Sequence, residues 1–297
     1  MIDPDRLLRW PLPPVAQTYT ERDSALYALG LGLGLGAGAA DVAALRYLYE
    51  GAPGGMAALP TMATVLGAGP FWMQDPATGI TWQRVLHAEQ RLQLHRPLPA
   101  AASVVAEHSI DAIHDKGAGR GALMRLSRRL VDAASGELLA TVGSTAFLRA
   151  DGGFGGSVDG VPKPQPVPAD RPPDHVVEQT TLTGQALLYR LNGDLNPLHA
   201  DPEVARAAGF ERPILHGLAS YGIAGLALLR ALCRFDAARL TRLDVRFASP
   251  VLPGETLLTE IWRLAPGRAA WRMRVPARPE GAAQIVLDHG VAEYLAD

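Results

Sequence analysis

The sequence predicts an α+β fold in which a curved antiparallel sheet wraps on a helix, twice over. Three observations carry this. Apolar segments of helical spacing lie early in each half of the chain, Val42–Tyr49 and Ser220–Phe235. Clusters of period-two segments follow each of them, as strands with one buried face require. Between the halves, residues 151–175 hold six prolines and five glycines, which no helix or central strand accommodates.

The halves also echo one another. "ALYALGLG" around Tyr27 resembles "LLYRLNGD" around Tyr189, and "HRPLPAAASVVAE" resembles "ASPVLPGETLLTE". The similar offsets of these pairs suggest one duplication. The expected organisation is a first half over 1–150, a Pro/Gly-rich linker over 151–175 and a second half over 176–297. In the first half "VLHAEQRLQLH" and "SVVAEHSIDAIHD" read as strands, and "ALMRLSRRLVDAASGELLATVGSTAFLRA" as two strands around Ser135-Gly136. In the second half "LTRLDVRFASP", "ETLLTEIWRLA", "RAAWRMRVPAR" and "AAQIVLDHGVAEYL" supply four more.

Composition narrows the function classes. The chain has 297 residues, 48% of them hydrophobic and 20% charged, which suffices for a real core. A net charge of −2 gives no reason to expect nucleic acid or an anionic membrane as partner. The uncharged run Ala25 to Ala40 is too short and glycine-rich to span a bilayer. "MIDPDRLLRW" lacks a signal-peptide apolar core, the C-terminal "YLAD" is not the peroxisomal tripeptide, and the expected location is cytoplasmic. The single cysteine, Cys233, has helical spacing and reads as a core residue.

"GLGLGLGAG" (Gly30 to Gly38) invites comparison with a dinucleotide-binding loop, but the G-x-G-x-x-G spacing fails in every register and "DSALYALG" before it reads as helix rather than strand. A nicotinamide cofactor is rejected. Glycines here remove side-chain volume so that backbone or a ligand can come close.

The chemistry concentrates in "YRLNGDLNPLHADP". Thr183 is placed to cap a helix reaching about Leu191, which Asn192-Gly193 would end. On an unbroken helix Asp194 and His199 would diverge, because five residues rotate a helix by roughly 140°. Pro197 forbids that helix through Asn196, so the chain turns and His199 can fold back beside Asp194. The segment is then either a solvated turn or a proton-transfer site, with Asn196 orienting a partner. Further on, "RPILHGLASYGIAGLALL" puts Gly217 at the start of the apolar helix, where free N–H groups favour an oxyanion. His216 beside it either pins the turn or is a second proton donor. Read alone, Lys116 is an exposed turn lysine, His87 a structural strand histidine and Phe247 a core residue.

These residues carry a family resemblance. "YRLNGDLNPLHADPEVARAAGFERPILHGLASYG" resembles the hydratase motif of MaoC-like, R-specific enoyl-CoA hydratases. "YALGLGLG", "LRYLYEG", "LPTMATVLG", "VLHAEQRLQLHRPLPA", "DKGAG" and "GGFGG" resemble the hydratase type 2 branch. The resemblance implies a double hot-dog, two antiparallel sheets each wrapped on a long helix and packed as a pseudo-dimer, with whole chains pairing again as a homodimer. It implies reversible syn hydration of trans-2-enoyl-CoA to the (3R)-3-hydroxyacyl-CoA, with no metal and no redox cofactor. Asp194 and His199 match the catalytic pair, Asn196 the accompanying amide, and Gly217 the glycine whose N–H holds the thioester oxygen. His87, Ala88, Lys116, Leu195, Pro197, Leu198 and Phe247 match CoA-ester contacts. The first half has no Asp or His at the matching positions, so one active site per chain is expected, with acyl space beside Gly32 and Gly34. The alternatives are an acyl-CoA thioesterase on the same fold, which would release free thiol, and a non-catalytic acyl-CoA-binding protein.

Overall fold

A computed structural model describes residues 2–35, 42–276 and 281–296. Gly36–Gly38 of the glycine-rich run lie outside the described residues. The first half supplies β1 (Val15–Tyr19), β2 (Val85–Leu94), β3 (Ala102–Asp115), β4 (Ala122–Asp132) and β5 (Leu138–Leu148). The second supplies β6 (His175–Thr180), β7 (Leu240–Phe247), β8 (Thr256–Ala265), β9 (Arg268–Val275) and β10 (Gln284–Tyr294). The eight longer strands are those that period-two alternation marks. In β2, for example, Gln90, Leu92 and Leu94 are buried while Glu89, Arg91 and Gln93 are more open.

The sheet order is β1-β3-β4-β5-β2-β7-β10-β9-β8-β6, and every pairing is antiparallel. The two expected sheets are thus halves of one continuous ten-stranded sheet. They join where β2 pairs with β7, from Glu89↔Arg246 to Gln93↔Arg242. Joining them satisfies the backbone groups that two central sheet edges would leave open.

The helices are α1 (Pro4–Leu8), α2 (Glu21–Gly30), α3 (Val42–Leu45), α4 (Gln185–Tyr189), α5 (Pro202–Ala207) and α6 (Gly217–Leu232). Helix α6 has twelve of its sixteen residues buried, so it is a core helix, apolar nearly all round. It begins three residues before the expected Ser220. At Gly225 a Cβ would sit 2.7 Å from Thr61 Cγ2, so the glycine lets the first half press directly on this helix.

The first half departs from expectation, since no long helix is present among its described residues. Helix α3 stops at Leu45, and turns follow through "GAPGG", whose glycines and proline cannot extend a helix. The segment over the sheet is a 3-10 helix of five residues, Pro60–Thr64. Tyr47 anchors this region by donating its hydroxyl to the Phe235 carbonyl at 2.7 Å. One large core draws on both halves, including Tyr27, Leu66, Leu92, Tyr189, Leu228 and Trp271. Cys233 is fully buried within it, and burial pushes its thiol up to about 12. A smaller cluster packs α1 on β3–β5 through Leu7, Met73, Met124 and Leu148.

Residues 149–174 contain no helix or strand. Their glycine-rich start is fixed by Asp115 at the end of β3. Its carboxylate accepts from the N–H groups of Gly117, Gly153 and Gly155 at 2.7, 2.7 and 2.9 Å. Those bonds hold the Asp115 carboxyl below its usual range. No described helix is long and apolar enough to cross a membrane.

Candidate active site

Helix α4 is preceded by Gly184 at its cap, not by a capping Thr183. The Gln185 side chain instead accepts from the Leu182 N–H ahead of the helix, at 3.0 Å. The helix tightens into a 3-10 turn at Arg190–Asn192 and ends at Gly193, whose φ of 111° suits glycine. The chain then enters the polar segment. The Asp194 carboxylate accepts from the Asn196 N–H at 3.2 Å. Asn196 Oδ1 in turn accepts from the Leu198 N–H at 3.1 Å, which caps the 3-10 turn Pro197–His199. Pro197 has no N–H to lose at the first position of that turn. These two short-range bonds bring His199 back toward Asp194.

His199 is fixed from its other side. Its Nδ1 lies 2.9 Å from the Ile214 carbonyl, which only accepts, so Nδ1 carries the proton. Burial holds the ring's pKa below the ordinary histidine value, with the Ile214 bond and the Asp194 charge opposing. The neutral ring therefore keeps its lone pair on Nε2. The His216 ring stacks on His199 at 3.8 Å and 27°. His216 Nε2 donates to the Asp194 carbonyl at 3.1 Å, which ties the turn to the start of α6. Burial and the neighbouring His199 pull His216 down to about 4, and its buried Nδ1 has no hydrogen-bond partner. Asp194, His199 and His216 each offer one ligand atom within 4.8 Å of the others.

Gly217 opens α6 and is solvent-exposed. Its N–H, like the first N–H groups of any helix, has no partner within the helix. A Cβ at this position would sit 3.0 Å from Phe247 Cε1, so glycine lets the ring pack closely against the start of α6. The Phe247 ring in turn lies 4.7 Å from the His87 ring. A cavity of about 400 Å³ is lined by Asp194, Asn196, His199, Gly217, Phe247 and His87. A second cavity, about 730 Å³, also touches Asp194, Asn196 and Leu218 but runs into the first half past Val65, Phe71 and Trp82. An acid, an uncharged imidazole and a helix-start glycine thus line one chamber, which shares Asp194, Asn196 and Leu218 with the second.

A family model described as MaoC like domain matches residues 165–277, and one described as MFE-2 hydratase 2 N-terminal domain matches residues 17–150. The 3-hydroxyacyl-thioester dehydratase Y of Mycobacterium tuberculosis is 41% identical over 290 residues, covering 95% of each chain. The chain belongs to the MaoC-like dehydratase family. Enoyl-CoA hydratase 2, peroxisomal, of Arabidopsis thaliana is 39% identical over 87% of this chain and 86% of its own. The crystal structure of a MaoC-like dehydratase from Phytophthora capsici superimposes with a TM-score of 0.84 at 33% identity, covering 99% of each chain. The fold is accordingly the double hot-dog of MaoC-like dehydratases.

In this MaoC-like chain the other residues expected from sequence are spread over the two chambers. Leu198 lines the first. Leu195 and Pro197 line the second. Ala88 occupies the β-bulge between His87 and Glu89, which sets the His87 ring apart from the regular strand face. Lys116 lines neither chamber. Its ammonium lies 4.5 Å over the Phe147 ring, and Phe147 pairs with Leu86, a wall residue of the first chamber. Gly32 and Gly34 also line neither. A Cβ at Gly34 would sit 2.7 Å from Leu48 Cδ1, and one at Gly32 3.1 Å from Gln179 Nε2. Gly32 thus packs against the second half and Gly34 against Leu48 of its own half, and the open space beside the first half lies along residues 64–82. Sequence reading missed that second chamber and the Ile214 carbonyl. Neither bears a polar side chain at diagnostic spacing, so neither leaves a motif.

Proposed function

We propose that the chain catalyses reversible syn addition of water to trans-2-enoyl-CoA thioesters, giving (3R)-3-hydroxyacyl-CoA. The observation that carries this reading is the approach of Asp194 and His199 beside the Gly217 amide, at the junction of the two chambers. The two relatives named above as a dehydratase of 3-hydroxyacyl thioesters and an enoyl-CoA hydratase support the same reaction class.

In the proposed mechanism Asp194 and His199 hold one water. One of them takes a proton from the water as its oxygen bonds to C3, and that same proton, passed on through the pair, is delivered to C2. The pair regains its starting protonation once water has added across the double bond. Such assistance is worth ~10²–10⁴-fold in rate. The thioester oxygen, negative as the enolate develops, rests on the Gly217 N–H, a donor worth ~10²–10³-fold in comparable sites. Asn196 positions the pair by capping the turn that bears His199. No metal or redox cofactor has a step to perform here.

The functional division follows. The second half carries the catalytic turn, and the first half houses the acyl chain in the chamber past Phe71. His87, Ala88, Leu195, Pro197, Leu198 and Phe247 enclose the thioester arm, and Lys116 meets a CoA phosphate at the rim. A cytoplasmic homodimer completes the proposal. Cell fractionation and sedimentation test those two points, the names of some relatives being peroxisomal.

Incubating the purified chain with crotonyl-CoA tests the reaction. The conjugated double bond should disappear without release of free thiol. Thiol release in step with substrate loss would identify a thioesterase, and tight binding without turnover would identify a non-catalytic binder.

A further inference from the structure

The acyl chamber does not end in an apolar wall. A further cavity of about 350 Å³ shares Thr64, Ala68, Phe71 and Leu218 with it, so the two are contiguous. Among the residues lining this inner cavity are Arg128, His108 and Gln90, all from the first half. A fourth cavity, about 270 Å³, also touches Arg128 and His108.

Arg128 is the unexplained member. Its Nη2 donates to the carbonyls of Ala63 and Thr64 at 3.1 and 2.8 Å, holding the end of the Pro60–Thr64 helix. Its Nε is buried and has no hydrogen-bond partner. Among the described residues no carboxylate pairs with it, and burial lowers its pKa with no acid opposing. His108 offers no compensation. Its Nε2 lies 3.0 Å from the Gly67 carbonyl, and burial together with Arg128 keeps it below the ordinary histidine range. A half-buried cation without a counter-ion is costly. Holding two carbonyls needs a donor, not a charge, so the helix contact alone does not account for a guanidinium here.

We propose that the missing counter-ion is supplied by the substrate: the preferred enoyl-CoA carries a carboxylate at the far end of its acyl chain, and Arg128 selects it. This rests on the hydratase reading above. The chain would enter past Asp194, cross the apolar region at Val65 and Phe71, and place its terminal carboxylate against the free Nε–H and Nη1 donors of Arg128. A planar guanidinium suits a carboxylate better than an ammonium does.

The test compares two trans-2-enoyl-CoAs of equal length, one ending in a methyl group and one in a carboxylate, with the full chain. The wild-type protein is expected to favour the carboxylated chain by roughly 10–100-fold in kcat/KM, the worth of a charge-assisted contact. Arg128→Met should abolish that preference, the loss in kcat/KM falling mainly on the carboxylated chain, and Arg128→Lys should keep part of it. A purely structural role would lower both rates together. Equal kcat/KM for the two chains in the wild type overturns the assignment, as does a preference that survives Arg128→Met. If that variant does not fold, the wild-type ratio and Arg128→Lys still decide. Turnover of the methyl-ended chain without preference defeats only the role of Arg128. No turnover of either chain defeats the hydratase reading itself.

Discussion

The imidazole rings of His199 and His216 lie stacked with centroids 3.8 Å apart, and each donates its single proton to a backbone carbonyl: His199 to Ile214, His216 to Asp194. Neither ring can gain a second proton cheaply, because both are buried and each would repel the other's charge. The stack therefore keeps His199 neutral and holds Asp194 in place through its own backbone.

A pH dependence of stability follows. The folded-state pKa of His216 falls to about 4 and that of His199 is also lowered, while both titrate near 6.5 when unfolded. Between those values the unfolded chain binds more protons, so stability rises with pH across that window. The contribution is fully present above about pH 6.5 and is lost as pH falls toward about 4, by about 1.4 kcal/mol per pH unit and histidine at most. Urea unfolding should show a lower midpoint at about pH 5 than at about pH 7.5, and His216→Asn should flatten the difference. An unchanged midpoint would mean that the rings are not held neutral.

The rate should follow the same titration. With His199 acting as a neutral ring, kcat/KM is flat through neutral pH and falls on an acid limb below 6.5. A limb at or above neutrality would place a protonated His199 in the resting enzyme.

The Gly217–Phe247 contact gives a steric prediction. A methyl group at position 217 meets Phe247 Cε1 at 3.0 Å and Cδ1 at 3.2 Å, so the ring or the helix start must give way. Gly217→Ala should lower kcat by about tenfold or more through loss of oxyanion contact. Adding Phe247→Leu should recover part of it. Undiminished kcat in Gly217→Ala would remove the amide from the mechanism.

Asp194, His199 and His216 are close enough to hold a metal ion, so the metal-free mechanism is open to direct test. Dialysis against a chelator should leave the hydration rate unchanged. Activity lost on chelation and restored by a divalent ion would place that ion on these three residues.

Much of this architecture is legible in the sequence where local chemistry decides it. Alternation marks β2–β5 and β7–β10, the Asn192-Gly193 pair marks the end of the helical segment that begins at α4, and Pro197 marks the turn that returns His199. The short strands β1 and β6 escape because they lie at the two sheet edges, where mostly exposed residues leave little pattern. The first-half helix is misjudged because the Val42–Tyr49 pattern is apolar for another reason: Tyr47 plugs into the second half beside Phe235. The β2–β7 junction and the inner cavity at Arg128 depend on tertiary pairing, which no local pattern encodes.

The most direct measurement is hydration of a trans-2-enoyl-CoA by wild-type chain, Asp194→Asn and His199→Ala, with chiral analysis of the product. The account predicts an (R)-3-hydroxyacyl-CoA from the wild type, and a kcat reduced by roughly 10²-fold or more in each folded variant. An (S) product, or either variant retaining near wild-type kcat, would contradict it.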